Sequence, residues 1–203
     1  MKLIFGTANK GKINQVKSFF KDRGVNLEID SLEDIGFCQE IIEDGETFEE
    51  NSMIKAKAIR KFCEEKQINE IIVTDDSGLC VDCLNGQPGV KSARYAGEHG
   101  TQEEILKKLL NNMKDVPEEK RTAKFVCVLT AILKNGELLV VRGETKGKIA
   151  KEPKQMGGLT YSPVFLPDGF GGRALCELSS EELSVTHREK AFLQLLEELK
   201  NKC

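Results

Sequence analysis

The run Ile71-Ile72-Val73 constrains the fold most, because it is β-branched, of the kind that packs as a buried strand, and leads straight into Asp75 and Asp76. Successive side chains of a strand point to opposite faces. Neighbouring aspartates therefore cannot share one role unless the strand turns there, and Ser77-Gly78 is expected to supply that turn. Carboxylates at the end of a buried strand, followed by small residues, suit a hard cation such as Mg²⁺, which takes oxygen ligands, keeps several waters and bridges to phosphates. The plainer alternative is that Asp75, Asp76 and Ser77 cap a turn, an ordinary use of Asp and Ser.

Upstream, Lys2 to Phe5 reads as a strand that breaks into Gly6-Thr7-Ala8-Asn9-Lys10-Gly11-Lys12. Ile13, Val16, Phe19 and Phe20 then recur at helical spacing, and Gly24 closes the segment. A glycine-containing loop at a helix N-terminus presents backbone N–H groups to anions, and Lys10 and Lys12 add charge for a phosphate. The spacing is not that of a Walker A loop, and a solvated strand-to-helix turn is the alternative. After a strand around Asn26 to Asp30 comes an acidic stretch containing Glu40, Glu43 and Glu46, then a helix expected to run to about Glu65. Acidic residues early in that helix and basic ones later complement its dipole. Glu43 or Glu46 could reach a metal held by Asp75 or Asp76.

Downstream, Ile105, Leu106, Leu109, Leu110 and Met113 mark an amphipathic helix. Phe125 to Leu133 and Leu138 to Val141, joined through Asn135-Gly136, read as a β-hairpin. Gly143 to Gly172 is rich in glycine and proline and is expected as a long loop or lid with short strands. Phe192, Leu195, Leu196 and Leu199 define a C-terminal helix, entered through His187 and Arg188, which face either a ligand or solvent as a cap. Strands, helices and an antiparallel hairpin together imply an α/β protein whose sheet is mixed.

Composition narrows the functional classes. The 203 residues suit one domain, or one domain with two lobes. A net charge of −3, no tryptophan and two tyrosines argue against a general nucleic-acid surface, so phosphate binding should come from a local cluster. Seven cysteines, an odd number scattered along the chain, read as reduced thiols, and Cys80-Val81-Asp82-Cys83 lacks the partners of a zinc or redox pair. No apolar run approaches a membrane span, and a cytoplasmic location is the expectation.

Four blocks, in order, resemble the Ham1-like inosine triphosphatase family, whose members remove non-canonical purine nucleoside triphosphates. Thr7-Ala8-Asn9-Lys10-Gly11-Lys12 resembles its T-x-N-x-x-K loop, and Gly45 to Ser52 with Lys55-Ala56 is similar to its G-x-T-F-x-E-N-A-x-x-K-A helix. Asp75-Asp76-Ser77-Gly78-Leu79 through Gly86-Gln87-Pro88-Gly89-Val90 and Ser92-Ala93-Arg94-Tyr95 resembles its most characteristic block, and Thr186-His187-Arg188 its S-H-R motif. The resemblance implies an elongated mixed sheet flanked by helices, two lobes with a cleft, and a homodimer. It also implies Mg²⁺-dependent hydrolysis of ITP, dITP or XTP to the monophosphate and pyrophosphate. It makes Asp76 the candidate base and metal ligand, with Asp75 beside it. Thr7, Asn9, Lys12 and Lys55 would hold the phosphates, with Ser77 nearby, and Leu159, Thr160, Tyr161, Ser162, His187 and Arg188 would surround base and sugar.

Departures from the family pattern concentrate on base recognition. Where the family has G-F-G-[YW]-D-P, this chain has Gly158-Leu159-Thr160-Tyr161-Ser162-Pro163, leaving Tyr161 as a stacking platform. A lysine usual before the S-H-R motif is replaced by Leu183, and the usual acidic position before Gly45 is Ile42, so Glu43 is the nearest metal candidate. Losing polar groups that read a base should relax discrimination. Two alternatives follow: a related pyrophosphatase with another base preference, as in the Maf-like family, and a nucleotide-binding paralogue with weak catalysis.

Overall fold

The computed structural model describes residues 2–155, 158–183 and 186–202. Its elements are β1 (Lys2–Gly6), α1 (Lys10–Asp22), β2 (Glu28–Asp30), α2 (Phe48–Glu65), β3 (Ile71–Val81) and α3 (Gln102–Asn112). After these come β4 (Thr122–Ile132), β5 (Leu138–Ile149), β6 (Phe165–Pro167), α4 (Ser180–Leu183) and α5 (His187–Lys200). Among the described residues the strands form one six-stranded mixed sheet in the order β2-β1-β3-β4-β5-β6. The pairings β1–β2 and β1–β3 are parallel, and β5–β6 is antiparallel. This is the α/β class expected from the hydrophobic pattern.

The chain separates into two compact units, one of Met1–Asp76, Cys127–Gly143 and Arg188–Cys203, the other of Ser77–Val126 and Glu144–His187. In the first unit, strand alternation sorts side chains onto two cores. Leu3, Phe5, Ile71 and Val73 pack with Val16, Phe19 and Phe20 of α1 and Phe192, Leu195 and Leu199 of α5. Ile4 and Ile72, the residues between them, pack instead with Ile59, Phe62 and Cys63 of α2. In the second unit Leu79, Val81, Leu106, Leu109, Phe125, Tyr161 and Phe165 form a separate core.

Two expectations are corrected here. No turn occurs at Ser77-Gly78: β3 runs unbroken through both aspartates to Val81. Asp75 is buried within the strand, and the amide after Gly78 is secured by a side chain, Leu79 N–H donating to Ser92 Oγ at 2.9 Å. The hairpin at Asn135-Gly136 is present, with Gly136 at φ +85° and Leu133 N–H donating to the Glu137 carbonyl at 2.8 Å. Its second strand, however, continues to Ile149, so the first part of the expected loop from Gly143 is sheet, with alternating burial through Ile149 that glycine content had masked.

Candidate active site

The unbroken strand gives Asp75 and Asp76 different surroundings. By alternation Asp75 joins Ile71 and Val73 on the α1/α5 face, and Asp76 joins Ile72 on the α2 face. The register Gly6↔Thr74 brings the end of β1 level with them, so the loop from Thr7 to Lys12 starts beside the two carboxylates. Within that loop Thr7 Oγ1 accepts from Asn9 N–H at 3.2 Å, and Asn9 caps α1 by accepting from Lys12 N–H at 3.2 Å. This cap aims Lys12 at the strand, while Lys10 is exposed.

Asp75 is enclosed by donors. Lys12 Nζ donates to its Oδ1, while Arg188 Nε at 2.8 Å and the Cys127 thiol at 3.4 Å donate to its Oδ2. Arg188 is itself buried and donates from Nη1 to Gln15 Oε1, while Gln15 donates onward to Glu189. Burial opposes the guanidinium charge, but Asp75 together with Cys127 and Glu189 outweighs it and the pKa lies above its ordinary value. His187 is buried too, its ring stacked on Phe125 with centroids 4.8 Å apart. Neither residue is a surface cap, which corrects that alternative.

Asp76 shares one cation with Glu43. Lys55 Nζ lies 2.8 Å from Asp76 Oδ1 and 2.7 Å from Glu43 Oε2, and Asp76 Oδ2 is buried with no hydrogen-bond partner among the described residues. Burial pushes the Asp76 carboxyl up to about 6 against the opposing pull of Lys55 and, more weakly, Lys12, and Glu43 adds repulsion. Burial works against Lys55 as well, yet two anionic partners raise its pKa overall. Thr74 and Ser52 pin α2 to β3 beside it, Thr74 Oγ1 donating to the Ser52 carbonyl at 2.7 Å.

Of the three candidate glutamates, Glu43 is the one bonded to Lys55; Glu40 and Glu46 are exposed. The Glu43 loop is fixed by Asn51, whose Oδ1 accepts from Gly45 N–H at 2.8 Å and whose Nδ2 donates to the Gly45 carbonyl at 3.3 Å. A Cβ at Gly45 would meet Glu50 Cβ at 2.7 Å and Asn51 Oδ1 at 2.8 Å, so only glycine lets the loop lie this close. Thr47 and Glu50 complete a capping box at the start of α2. Asn51 belongs to the motif quoted from the sequence, but a buried clamp could not be told there from a polar helix residue.

The second unit holds the remaining candidates. Ser77 is part-buried in β3, and the Leu159 and Thr160 carbonyls accept from Gln102 Nε2 at 3.3 and 3.1 Å. Ser162 is buried, its N–H donating to the Leu159 carbonyl at 2.8 Å. Tyr161 is a core side chain, 3% exposed, and its hydroxyl donates to the Ser92 carbonyl at 2.8 Å. The expectation of an open stacking face is corrected: the ring packs against Phe125 and Phe165 in the core. Leu183 is partly buried against the same core.

Among the described residues no group of three or more His, Cys, Asp or Glu side chains gathers as a metal cluster. The pair Asp76 and Glu43 fits a different kind of site, in which one or two carboxylates hold Mg²⁺ and water and substrate phosphate complete the shell. Two observations favour the fit: a cationic group already bridges the pair, and buried Asp76 Oδ2 has no hydrogen-bond donor among the described residues.

Comparison with known proteins identifies relatives of the whole chain. A dITP/XTP pyrophosphatase of Thermoanaerobacter sp. (strain X514) is 43% identical over 196 residues, 96% of this chain and 94% of that protein. The dITP/XTP pyrophosphatase of Bacillus subtilis (strain 168) is 39% identical over 193 residues, 95% and 93% of the two chains. The Staphylococcus aureus Ham1 protein superposes with a TM-score of 0.82 at 32% identity, covering 100% of both chains. Residues 3–198 match the Ham1 family, and the chain belongs to it.

Proposed function

We propose that this chain is a Mg²⁺-dependent pyrophosphatase that hydrolyses non-canonical purine nucleoside triphosphates, ITP, dITP and XTP, to the monophosphate and pyrophosphate. The observation that carries the reading is Asp76, a buried carboxylate with one oxygen on Lys55 and the other without a hydrogen-bond partner among the described residues. Such an oxygen suits orienting or deprotonating an attacking water. Asp75 supports the reaction indirectly by fixing Lys12 and Arg188. Lys12 and Lys55, with Thr7, Asn9, Lys10 and Ser77, would bind the phosphates. Leu159, Thr160, Ser162, His187 and Arg188 would face base and sugar, with Tyr161 bracing that segment from the core.

Asp76 and Glu43 would hold Mg²⁺, which supplies neutralisation of phosphate charge when bound. The lysines can bind and orient the triphosphate. A homodimer acting in the cytoplasm is part of the proposal; no described helix is long and apolar enough to cross a membrane.

Ser162 and Leu183 stand at positions where the family pattern has polar recognition groups, which favours a second reading with an altered base preference. Pyrophosphate release with Mg²⁺ across ITP, XTP, dUTP, GTP, ATP and CTP separates the two. Fast turnover of ITP and XTP over the rest supports the first reading. Preference for another base supports the second, and no turnover of any triphosphate overturns both.

A further inference from the structure

Lys55 occupies the place that the proposed function gives to a metal ion. Its ammonium bridges Glu43 and Asp76, with a side chain only 11% exposed, and it is the cation shown between these two carboxylates. A divalent ion added with Lys55 in place would sit against a buried like charge, an arrangement that a low-dielectric site penalises strongly. Lysine carries its charge on a flexible four-carbon stem, so it can leave the pair if another anion receives it.

We propose that Lys55 is a tethered cation that holds the metal position in the free protein and yields it when a polyphosphate supplies a new anionic partner. Divalent-ion binding and polyphosphate binding are then coupled, each strengthening the other by the same factor. The inference rests on the metal-assisted reading above and adds an order to it. The free chain discriminates against the metal ion, and the triphosphate removes the obstacle.

The experiment measures Mn²⁺ binding by electron paramagnetic resonance, without nucleotide and at constant pH, to the wild-type chain, Lys55→Met and Lys55→Arg. Methionine keeps most of the side-chain volume and removes the charge. Lys55→Met should bind Mn²⁺ about 10-fold or more tightly than wild type, since removing a buried like charge is worth at least one decade. Lys55→Arg should stay weak, and Glu43→Gln added to Lys55→Met should abolish the gain. Equal Mn²⁺ affinity in wild type and Lys55→Met overturns the proposal.

A second measurement uses the wild type alone, so that it stands even if Lys55→Met fails to fold. The melting-temperature rise with Mn²⁺ and inorganic triphosphate together should exceed the sum of the separate rises, after correction for Mn²⁺ bound to free triphosphate. Additive rises overturn the coupling. Neither readout requires turnover. If no nucleoside triphosphate is hydrolysed while Lys55→Met still gains Mn²⁺ affinity, the proposed function falls alone. If ITP is hydrolysed while Mn²⁺ affinity is unchanged, this inference falls alone.

Discussion

Asp75 and Asp76 are consecutive residues of β3 whose carboxylates meet different helices, Asp75 taking Arg188 Nε of α5 at 2.8 Å and Asp76 taking Lys55 Nζ of α2 at 2.8 Å. Two-residue periodicity alone produces this division, and it separates a carboxylate enclosed by donors from one with an oxygen to spare. The two aspartates should therefore fail in different ways when changed.

Asp75→Asn removes the negative charge that balances buried Arg188 and Lys12. Breaking a buried pair by deleting one partner costs about 3–5 kcal/mol, which lowers the melting temperature of a chain this size by roughly 10 °C. Asp76→Asn should instead leave the circular dichroism spectrum intact and reduce pyrophosphate release at least about 10²-fold, as expected for loss of a general base. Near-normal turnover of Asp76→Asn would sink its assignment.

The Asp76 carboxyl is pushed up to about 6 by burial, which has a consequence for stability in metal-free buffer. A carboxyl whose pKa is higher folded than unfolded favours the folded state fully below the unfolded value near 4, and that contribution is lost as pH rises through about 6. Asp76→Asn cannot lose it. Relative to wild type, the variant should gain stability on the order of 2 kcal/mol between pH 4 and pH 6 and no more above about pH 7. Chemical denaturation of both proteins across that range measures the difference, and a constant difference would contradict the raised pKa.

Asn51 ties the Glu43 loop to α2 through both edges of its amide. Asn51→Ala leaves the part-buried Gly45 N–H without this acceptor, at a cost of about 1–3 kcal/mol, and releases the loop. The Mg²⁺ concentration for half-maximal turnover should rise several-fold while the far-ultraviolet spectrum is unchanged. An unaltered Mg²⁺ requirement would mean that Glu43 takes no part in holding the ion.

Much of this architecture was legible in the residues. Helical spacing from Ile13 to Phe20 located α1, acidic residues early and basic ones later marked the helix that ends at Glu65, and Asn135-Gly136 located the hairpin. Two errors shared a cause: small residues were read as breaks. Gly78 and Gly143 lie inside strands, where side chains distant in sequence, such as Ser92 on the Leu79 amide, supply support that no local pattern carries. The site showed the same split. Lys12, Lys55 and both aspartates lie in short motifs, whereas Cys127 and Gln15 meet Asp75 and Arg188 through tertiary contacts. Nothing in their local sequence distinguishes them from core and helix-surface residues.

Tyr161 tests that distinction in the second unit, because an aromatic residue in a candidate base-binding segment can be read either as a stacking face or as a support. Its ring is buried, and its hydroxyl is bonded to the Ser92 carbonyl at 2.8 Å. Burial raises the phenol pKa well above its usual range, so the group is neutral wherever the protein is folded. Tyr161→Phe should cost about 1–2 kcal/mol through the lost hydrogen bond and leave the KM for ITP within about twofold. Since the phenol's contribution is present below the unfolded-state value near 10 and lost as pH rises, the penalty should shrink in alkali. A stacking role predicts the reverse pattern for removal of the ring: Tyr161→Leu would then raise KM with little loss of stability. Thermal melts and Michaelis–Menten kinetics on both variants decide between support and stack, and a large KM effect without destabilisation would return Tyr161 to the base-binding surface.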